Sequence, residues 1–281
     1  MTTTQHKIVV LGSQGMLGHM VYDVLKTNDN NIVFPLTRNE IDFRNFNKLK
    51  RFLSILHPTT IINCAGILIR QSENNPEEAK IINTDLPTML SSFCKTKSIQ
   101  FIHISTDCVF NGNKFRHYTL NDIQDAQNVY GKTKADAENN LLKNKYGLIL
   151  RTSIIGPEIK EHATGLFHWA LTNTAPEIEG YTQVYWNGVT TLYLANIIQQ
   201  LLDHKEMHGL YHVVGEDTSK YTVIKILKGL WNKSYIVKPN RTIKKYMCLT
   251  PDIFQVKSQF EMLTELLAYM RNNKSKYEIY F

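Results

Sequence analysis

The opening of the chain limits its fold more than any other stretch. Lys7-Ile8-Val9-Val10-Leu11 is a short β-branched run that reads as a buried strand, and it passes directly into Gly12-Ser13-Gln14-Gly15-Met16-Leu17-Gly18. An amphipathic stretch through Val21, Val24 and Leu25 follows at helical spacing. A strand, three glycines spaced Gly-x-x-Gly-x-x-Gly and a helix are the start of a βαβ unit whose turn holds a pyrophosphate at a helix N-terminus. Gly12 then permits the tight turn, Gly15 lets backbone N–H groups reach the phosphates, and Gly18 lets the helix pack closely on the strand. Gln14, Met16 and Leu17 line the same turn.

The N-terminal half repeats this rhythm. Strands at Ile32-Val33-Phe34-Pro35-Leu36, Thr60-Ile61-Ile62-Asn63, Phe101-Ile102-His103-Ile104 and Gly147-Leu148-Ile149-Leu150 alternate with helices expected over residues 45–56, 76–97 and from Tyr130 onward. An alternation at roughly 25 to 40 residues predicts an α/β fold, a Rossmann-type doubly wound parallel sheet with right-handed crossovers. Ligands of such sheets sit beyond the C-terminal ends of the strands. The second strand ends in Thr37-Arg38, where sites selective for NAD carry an acidic residue; Arg38 can instead pair with a 2′-phosphate, so NADP(H) is the expected cofactor. Asp42 is placed to reach the adenine. Asn63, Ala65 and Gly66 at the next strand end put small residues where a cofactor passes, with Cys64 read as a buried filler. Asn83, mid-helix among Ile81, Ile82 and Leu86, faces a polar partner or solvent and joins the cofactor set.

The central strand breaks into Ser105-Thr106-Asp107-Cys108-Val109-Phe110-Asn111-Gly112, so polar groups stand at its end. After a loop, Tyr130-Gly131-Lys132-Thr133-Lys134 opens a helix, and Tyr130 and Lys134 are an i, i+4 pair on one face. A free phenol titrates near pH ~10, and a nearby cation favours the phenolate. With the Thr106 hydroxyl these groups form an acid/base unit that polarises a carbonyl while tyrosine passes a proton, as a reductase needs. Tyr-x-x-x-Lys alone is common on surface helices. The dinucleotide turn expected on the same sheet gives it meaning.

From Gly156 the alternation loosens. Residues 1–155 are read as the dinucleotide-binding domain and 156–281 as mainly a smaller substrate lobe across the sheet's C-terminal edge, with about 189–215 returning to the Rossmann core. In the run Lys238-Pro239-Asn240-Arg241-Thr242-Ile243-Lys244-Lys245, Lys238 and Arg241 can neutralise a diphosphate, or the run is a solvated face. The net charge of +7 comes from scattered lysines without a nucleic-acid motif, so nucleic acid is not an expected partner. Cys64, Cys94, Cys108 and Cys248 have neither disulfide-framework nor metal spacing, and no metal is expected. No apolar run would span a bilayer, and Met1-Thr2-Thr3-Thr4-Gln5-His6 lacks the cationic and apolar regions of a leader, so a cytoplasmic location without membrane contact is expected. A homodimer is left open.

With these residues in hand, the chain resembles the extended short-chain dehydrogenase/reductases, and within them the dTDP-4-dehydrorhamnose reductase group. The resemblance rests on Gly12-x-x-Gly15-x-x-Gly18, Ser105-Thr106-Asp107, Tyr130-Gly131-Lys132-Thr133-Lys134 and Arg151-Thr152-Ser153, and more faintly on Gly188-Val189-Thr190-Thr191 and Tyr211-His212-Val213-Val214. It implies that Thr106, Tyr130 and Lys134 are the catalytic triad. That group usually has tyrosine after its Thr-Asp, whereas this chain has Cys108. The cysteine is similar to that of bifunctional epimerase/reductases such as GDP-fucose synthase and the plant-type enzyme that makes UDP-L-rhamnose from UDP-4-keto-6-deoxyglucose, where it handles protons in epimerisation. The implied substrate is a nucleotide sugar, UDP-linked in preference. The second epimerisation residue would follow the Arg-Thr-Ser strand, with His168 as candidate and His162 or Lys160 as alternatives. Two other readings stay open: a simple 4-reductase, and a non-catalytic subunit like the methionine adenosyltransferase β subunit, which shares the fold and Tyr-x-x-x-Lys.

Overall fold

The computed structural model describes residues 5–160 and 163–281. In chain order the elements are β1 (His6–Leu11), α1 (Gly18–Leu25), β2 (Asn31–Leu36), α2 (Phe46–Leu56), β3 (Thr60–Asn63), α3 (Ile69–Asn74), α4 (Pro76–Lys80), α5 (Leu86–Lys97), β4 (Gln100–Thr106), α6 (Val129–Asn144) and β5 (Leu148–Thr152). There follow β6 (Ile154–Ile155), α7 (Leu166–Thr172), β7 (Glu177–Trp186), β8 (Val189–Thr190), α8 (Thr191–Leu201), β9 (Gly209–His212), β10 (Thr218–Ser219), α9 (Lys220–Leu230), β11 (Ile236–Met247) and α10 (Gln259–Asn272). Among the described residues no helix is long and apolar enough to cross a membrane.

The chain divides into two compact units. One comprises the chain up to Asn111, Ile123–Arg151 and Ala195–Tyr211; the other comprises Gly112–Asp122, Thr152–Leu194 and His212–Phe281. The first boundary thus falls after Arg151 rather than 155, the segment that returns to the first unit is 195–211, and residues 112–122, read with the first domain, belong to the second.

The first unit is an α/β Rossmann-like fold on a six-stranded sheet of order β2-β1-β3-β4-β5-β9. β1 pairs in parallel with β2 and β3, and β3 in parallel with β4. Leu11 is level with Leu36 and Asn63, and Asn63 with His103, so the C-terminal ends of these strands form one edge. Residues 37–45 make turns instead of a strand. The order therefore reverses between β1 and β3, the switch point where such sheets bind ligands. The strands are near-continuous apolar runs because the sheet is covered on its faces: Val9, Ile61, Phe101 and Ile149 pack with Leu49, Leu53, Leu90, Cys94 and Leu141 in one core.

The helix expected over residues 76–97 is continuous but changes pitch, with a π turn at Ile81–Asp85 between α4 and α5. Pro87 has no N–H to give to the carbonyl four residues earlier, that of Asn83, and the wider turn absorbs the loss.

The second unit holds a three-stranded sheet of order β10-β7-β11 and a two-stranded pair β6-β8. β11 runs parallel to β7, with a register irregularity between Asn240 and Lys244. The basic run is therefore an edge strand, and its exposed charges and Pro239 suit an edge that must not pair further. Ile224 of α9 packs with Ile178 and Tyr235 beneath β7.

In the first unit α6 is tied to β5 by a buried ion pair. Arg151 Nε donates to Glu138 Oε1 at 3.0 Å and Nη2 to Oε2 at 2.5 Å, and Gln124 Nε2 also donates to Oε2. Both side chains are almost inaccessible. Removing one partner strands the other charge, so Glu138→Leu is expected to cost about 3 to 5 kcal/mol in urea denaturation, and Glu138→Leu with Arg151→Met should recover most of that loss.

Candidate active site

The glycine turn is built by contact. Gly12 has φ +76°, and a Cβ on it would lie 2.8 Å from the Ala65 backbone. A Cβ on Gly18 would lie 2.1 Å from Gly12 O, so α1 can start this close to β1 only with glycine there. Gly15 uses its own N–H on Gly12 O at 2.8 Å, which leaves an anion to the N–H groups of its neighbours. Two buried hydroxyls at strand ends, Ser13 Oγ and Ser105 Oγ, have no hydrogen-bond partner among the described residues. A glycine turn at a helix start that holds the orphaned Ser13 hydroxyl fits a dinucleotide. Neither serine was singled out from the sequence, although Ser13 lies in the glycine turn and Ser105 directly follows the apolar run at residues 101–104.

The other cofactor candidates divide. Arg38 is exposed just past β2, beside Thr37, whose N–H donates to Glu40 Oε2 at 2.8 Å. Asp42 takes Arg44 in a two-pronged contact, Nε at 2.9 Å and Nη2 at 2.8 Å, and its side chain stays exposed. Asn63 accepts the Ala65 N–H at 3.1 Å. Asn83 is a brace: Oδ1 accepts the Ile67 N–H at 2.8 Å, and Nδ2 donates to Ile67 O at 3.0 Å and Thr133 Oγ1 at 3.1 Å. Its partners are this chain's own residues because the π turn points the amide between the 67 loop and α6.

Thr106, Cys108 and Tyr130 come together at the end of β4. Thr106 caps the short turn Asp107–Val109, accepting the Cys108 N–H at 3.1 Å and donating to Asp107 Oδ1 at 3.2 Å. Cys108 is half-buried, with Sγ 3.5 Å from Asp107 Oδ1. The first turn of α6 presses on this loop, since a Cβ on Gly131 would lie 2.1 Å from Cys108 O. Asn128 caps the helix by accepting the Gly131 N–H at 2.7 Å, and Glu73 accepts the Val129 N–H at 2.8 Å. Burial raises the Tyr130 phenol above its ordinary value, Cys108 and Asp107 add to this, and a hydrogen bond with Thr106 opposes it.

Lys134 corrects one expectation. It shares a helix face with Tyr130, yet its Nζ is drawn to the strand, donating to Ile104 O at 2.6 Å and lying 3.0 Å from His103 Nε2. Burial, not the Lys134 charge, sets the direction of the phenol, which is raised rather than lowered. Burial pulls Lys134 down to about 8, against Glu138 and Cys64, which act to raise it. His103, level with Asn63 in the sheet and 3.2 Å from its Nδ2, was missed as a site residue; a histidine inside the apolar run Ile102-His103-Ile104 was the available signal. Cys64 is half-buried rather than fully so, and burial pushes its thiol up.

The remaining candidates belong to the second unit. His168 on α7 is braced: its Nδ1 lies 3.2 Å from Tyr280 Oη, which also accepts the Glu158 N–H at 2.9 Å. Lys160 is exposed, and His162 lies outside the described residues. Lys238 pairs with Glu177, and Arg241 is exposed at the irregularity of β11. Among the described residues no group of three or more His, Cys, Asp or Glu side chains is placed to hold a metal.

A profile of the family described as the RmlD substrate binding domain matches residues 6–244. The chain belongs to this family. It is similar to a dTDP-4-keto-6-deoxy-D-glucose reductase of Streptomyces niveus, 31% identical over 148 residues that cover 52% of this chain and 51% of that one. It is also similar to the bovine (Bos taurus) methionine adenosyltransferase 2 subunit beta, 28% identical over 162 residues, 55% of this chain and 48% of that one. The chain thus spans about half the length of these curated relatives. The fold matches a dTDP-4-dehydrorhamnose reductase of Bacillus anthracis str. Ames solved with NADP, at TM-score 0.84 and 22% identity, over 94% of this chain and 99% of that one. The RmlD-family match spans both the glycine turn and the Tyr130 helix.

The lowered Lys134 gives a signed pH dependence. The folded protein releases this proton at about 8 while the unfolded chain holds it to 10.5, so the stability attributable to Lys134 rises with pH across that window. Between about pH 7.5 and about pH 10, the urea midpoint of the parent should therefore gain on that of Lys134→Met; no change in the difference would contradict the shift.

Proposed function

We propose that the protein is an NADPH-dependent 3,5-epimerase/4-reductase of a nucleotide-linked 4-keto-6-deoxyhexose, UDP-linked and yielding UDP-L-rhamnose. The observation that carries the reading is the grouping of Thr106, Cys108 and Tyr130 at the end of β4, on the sheet whose β1 ends in the glycine turn. The reductase half is supported by the Streptomyces niveus relative and the cofactor by the Bacillus anthracis neighbour. Cys108 supports the epimerase half.

In this reading Gly12 to Gly18 receives the pyrophosphate, with Gln14, Met16 and Leu17 supplying N–H groups and Ser13 a hydroxyl. Arg38 pairs with the 2′-phosphate, and Ala65 and Gly66 border the cofactor. When bound, NADPH supplies a hydride to C4 of the sugar. Tyr130, whose raised phenol stays protonated at neutral pH, gives its proton to O4, and Thr106 steadies the developing charge. The ketone acidifies C3–H and C5–H, and Cys108, as the thiolate, takes such a proton while His168, the proposed partner, returns one to the opposite face. Lys238 and Arg241 are the proposed diphosphate contacts; Lys238 is paired with Glu177 and Arg241 is exposed.

The test is to incubate the purified protein with UDP- and dTDP-4-keto-6-deoxyglucose and NADPH and identify the product by NMR. Turnover by the native protein with loss of at least about a hundredfold in Tyr130→Phe is expected, in the range of a general acid's contribution. Absence of turnover with both sugars would favour a subunit role like that of the methionine adenosyltransferase relative.

Cys108→Ser separates the two halves. Serine is nearly isosteric but far less acidic than a thiol. The variant should lose solvent deuterium incorporation at C3 and C5 while still reducing an already epimerised 4-keto sugar. Exchange at the native rate in D₂O would leave Cys108 as packing and the protein as a simple 4-reductase.

A further inference from the structure

The chain Asn63, His103, Lys134 contains a donor–acceptor conflict. Asn63 Oδ1 accepts the Ala65 N–H at 3.1 Å, which turns the Asn63 Nδ2 donor toward His103 Nδ1 at 3.2 Å. His103 Nε2 lies 3.0 Å from Lys134 Nζ, and Nζ donates to Ile104 O at 2.6 Å. All three side chains are buried. A neutral imidazole has one donor and one acceptor nitrogen. With Nδ1 accepting from Asn63, Nε2 carries the proton, and only an uncharged Lys134 amine can accept it. An ammonium can only donate. It needs a bare Nε2, which moves the imidazole proton to Nδ1 and requires an oxygen from Asn63. Asn63 supplies that oxygen by turning its amide over, and the Ala65 N–H then loses its acceptor.

We propose that His103 is a positioning residue whose tautomer couples the charge of Lys134 to the hydrogen bond on the Ala65 N–H. In one state the amine is neutral, His103 is the Nε2–H tautomer and Asn63 holds the Ala65 N–H. In the other Lys134 is an ammonium, His103 is the Nδ1–H tautomer and the Ala65 N–H is released. The change takes one proton from solvent: Nδ1 gains a proton, Nε2 passes its own to Nζ, and no heavy-atom bond forms or breaks. Imidazolium is not a third state, because burial and the Lys134 charge hold His103 well below its ordinary range.

The titratable groups around Lys134 are His103 from β4, Cys64 after β3, and Tyr130 and Glu138 from α6. Burial pushes the Cys64 thiol and the Tyr130 phenol up, so both stay protonated where Lys134 titrates. Glu138 is committed to Arg151. His103 alone among them can rearrange with Lys134. Since Ala65 lies against Gly12, the released N–H adds a donor beside the glycine turn, so proton uptake and occupation of that turn favour one another. That consequence rests on the proposed function; the tautomer coupling does not.

The test uses ligand-free protein labelled with ¹⁵N-histidine and long-range ¹H–¹⁵N spectra, with His103→Gln identifying the signal. The expected result is the Nε2–H tautomer at about pH 9.5 and the Nδ1–H tautomer at about pH 6.5, His103 remaining neutral throughout. Lys134→Arg, which only donates, should hold the Nδ1–H tautomer across the whole range. One unchanging tautomer in the native protein, or an imidazolium signal in this range, overturns the proposal. Because no ligand or turnover is involved, failure of the reductase reading and failure of this coupling are separate results.

Discussion

The chemistry at the strand ends depends on how closely the first turn of α6 approaches the loop that follows β4, and Gly131 sets that distance. Any side chain there would collide with the Cys108 carbonyl. The approach brings the Tyr130 phenol into hydrogen bonding with Thr106 and beside Cys108, and buries Lys134 against β4. Asn128 and Glu73 stabilise the helix start by accepting N–H groups that have no partner inside the helix. The Glu138–Arg151 pair fixes the same helix two turns later. Position, capping and ion pairing thus act on one helix, and its orientation decides what the tyrosine can do.

A second constraint is the cost of burying charge. Lys134 and Glu138 sit a turn apart on α6, both nearly inaccessible, but they are compensated differently. Glu138 has a guanidinium and an amide around its carboxylate, and the pair is closed. Among the described residues the hydrogen-bond partners of Lys134 Nζ are a carbonyl and an imidazole, and burial lowers its proton affinity against the opposing pull of Glu138 and Cys64. A closed pair is scaffolding. An amine held by neutral partners keeps the ability to change charge, which is a property of reactive sites.

Some candidate site residues could be read from local pattern and others could not. The glycine turn was readable because strand, glycine spacing and helix all lie within the first 25 residues and each has a backbone requirement. Thr106, Tyr130 and Lys134 were readable as residue types at a strand end and on one helix face. Asn83 was readable as facing a polar partner or solvent, but its partners, Ile67 and Thr133, were not, being 16 and 50 residues away in sequence. The pairing of Asp42 with Arg44, two positions on, is local in sequence. His103 was not legible as a site residue because a buried polar residue in an apolar run has meaning only through what faces it.

Local sequence by itself determined the alternation of strand and helix, the turn at Gly12 to Gly18 and the i, i+4 relation of Tyr130 to Lys134, because each follows from steric preference and periodicity over a few residues. Tertiary structure alone decided the register that sets Asn63 level with His103, the reversal of strand order between β1 and β3, and the direction of the Lys134 amine. Those outcomes depend on pairings between segments about 30 to 50 residues apart, and on the desolvation of groups whose neighbours come from different strands, which no local window contains.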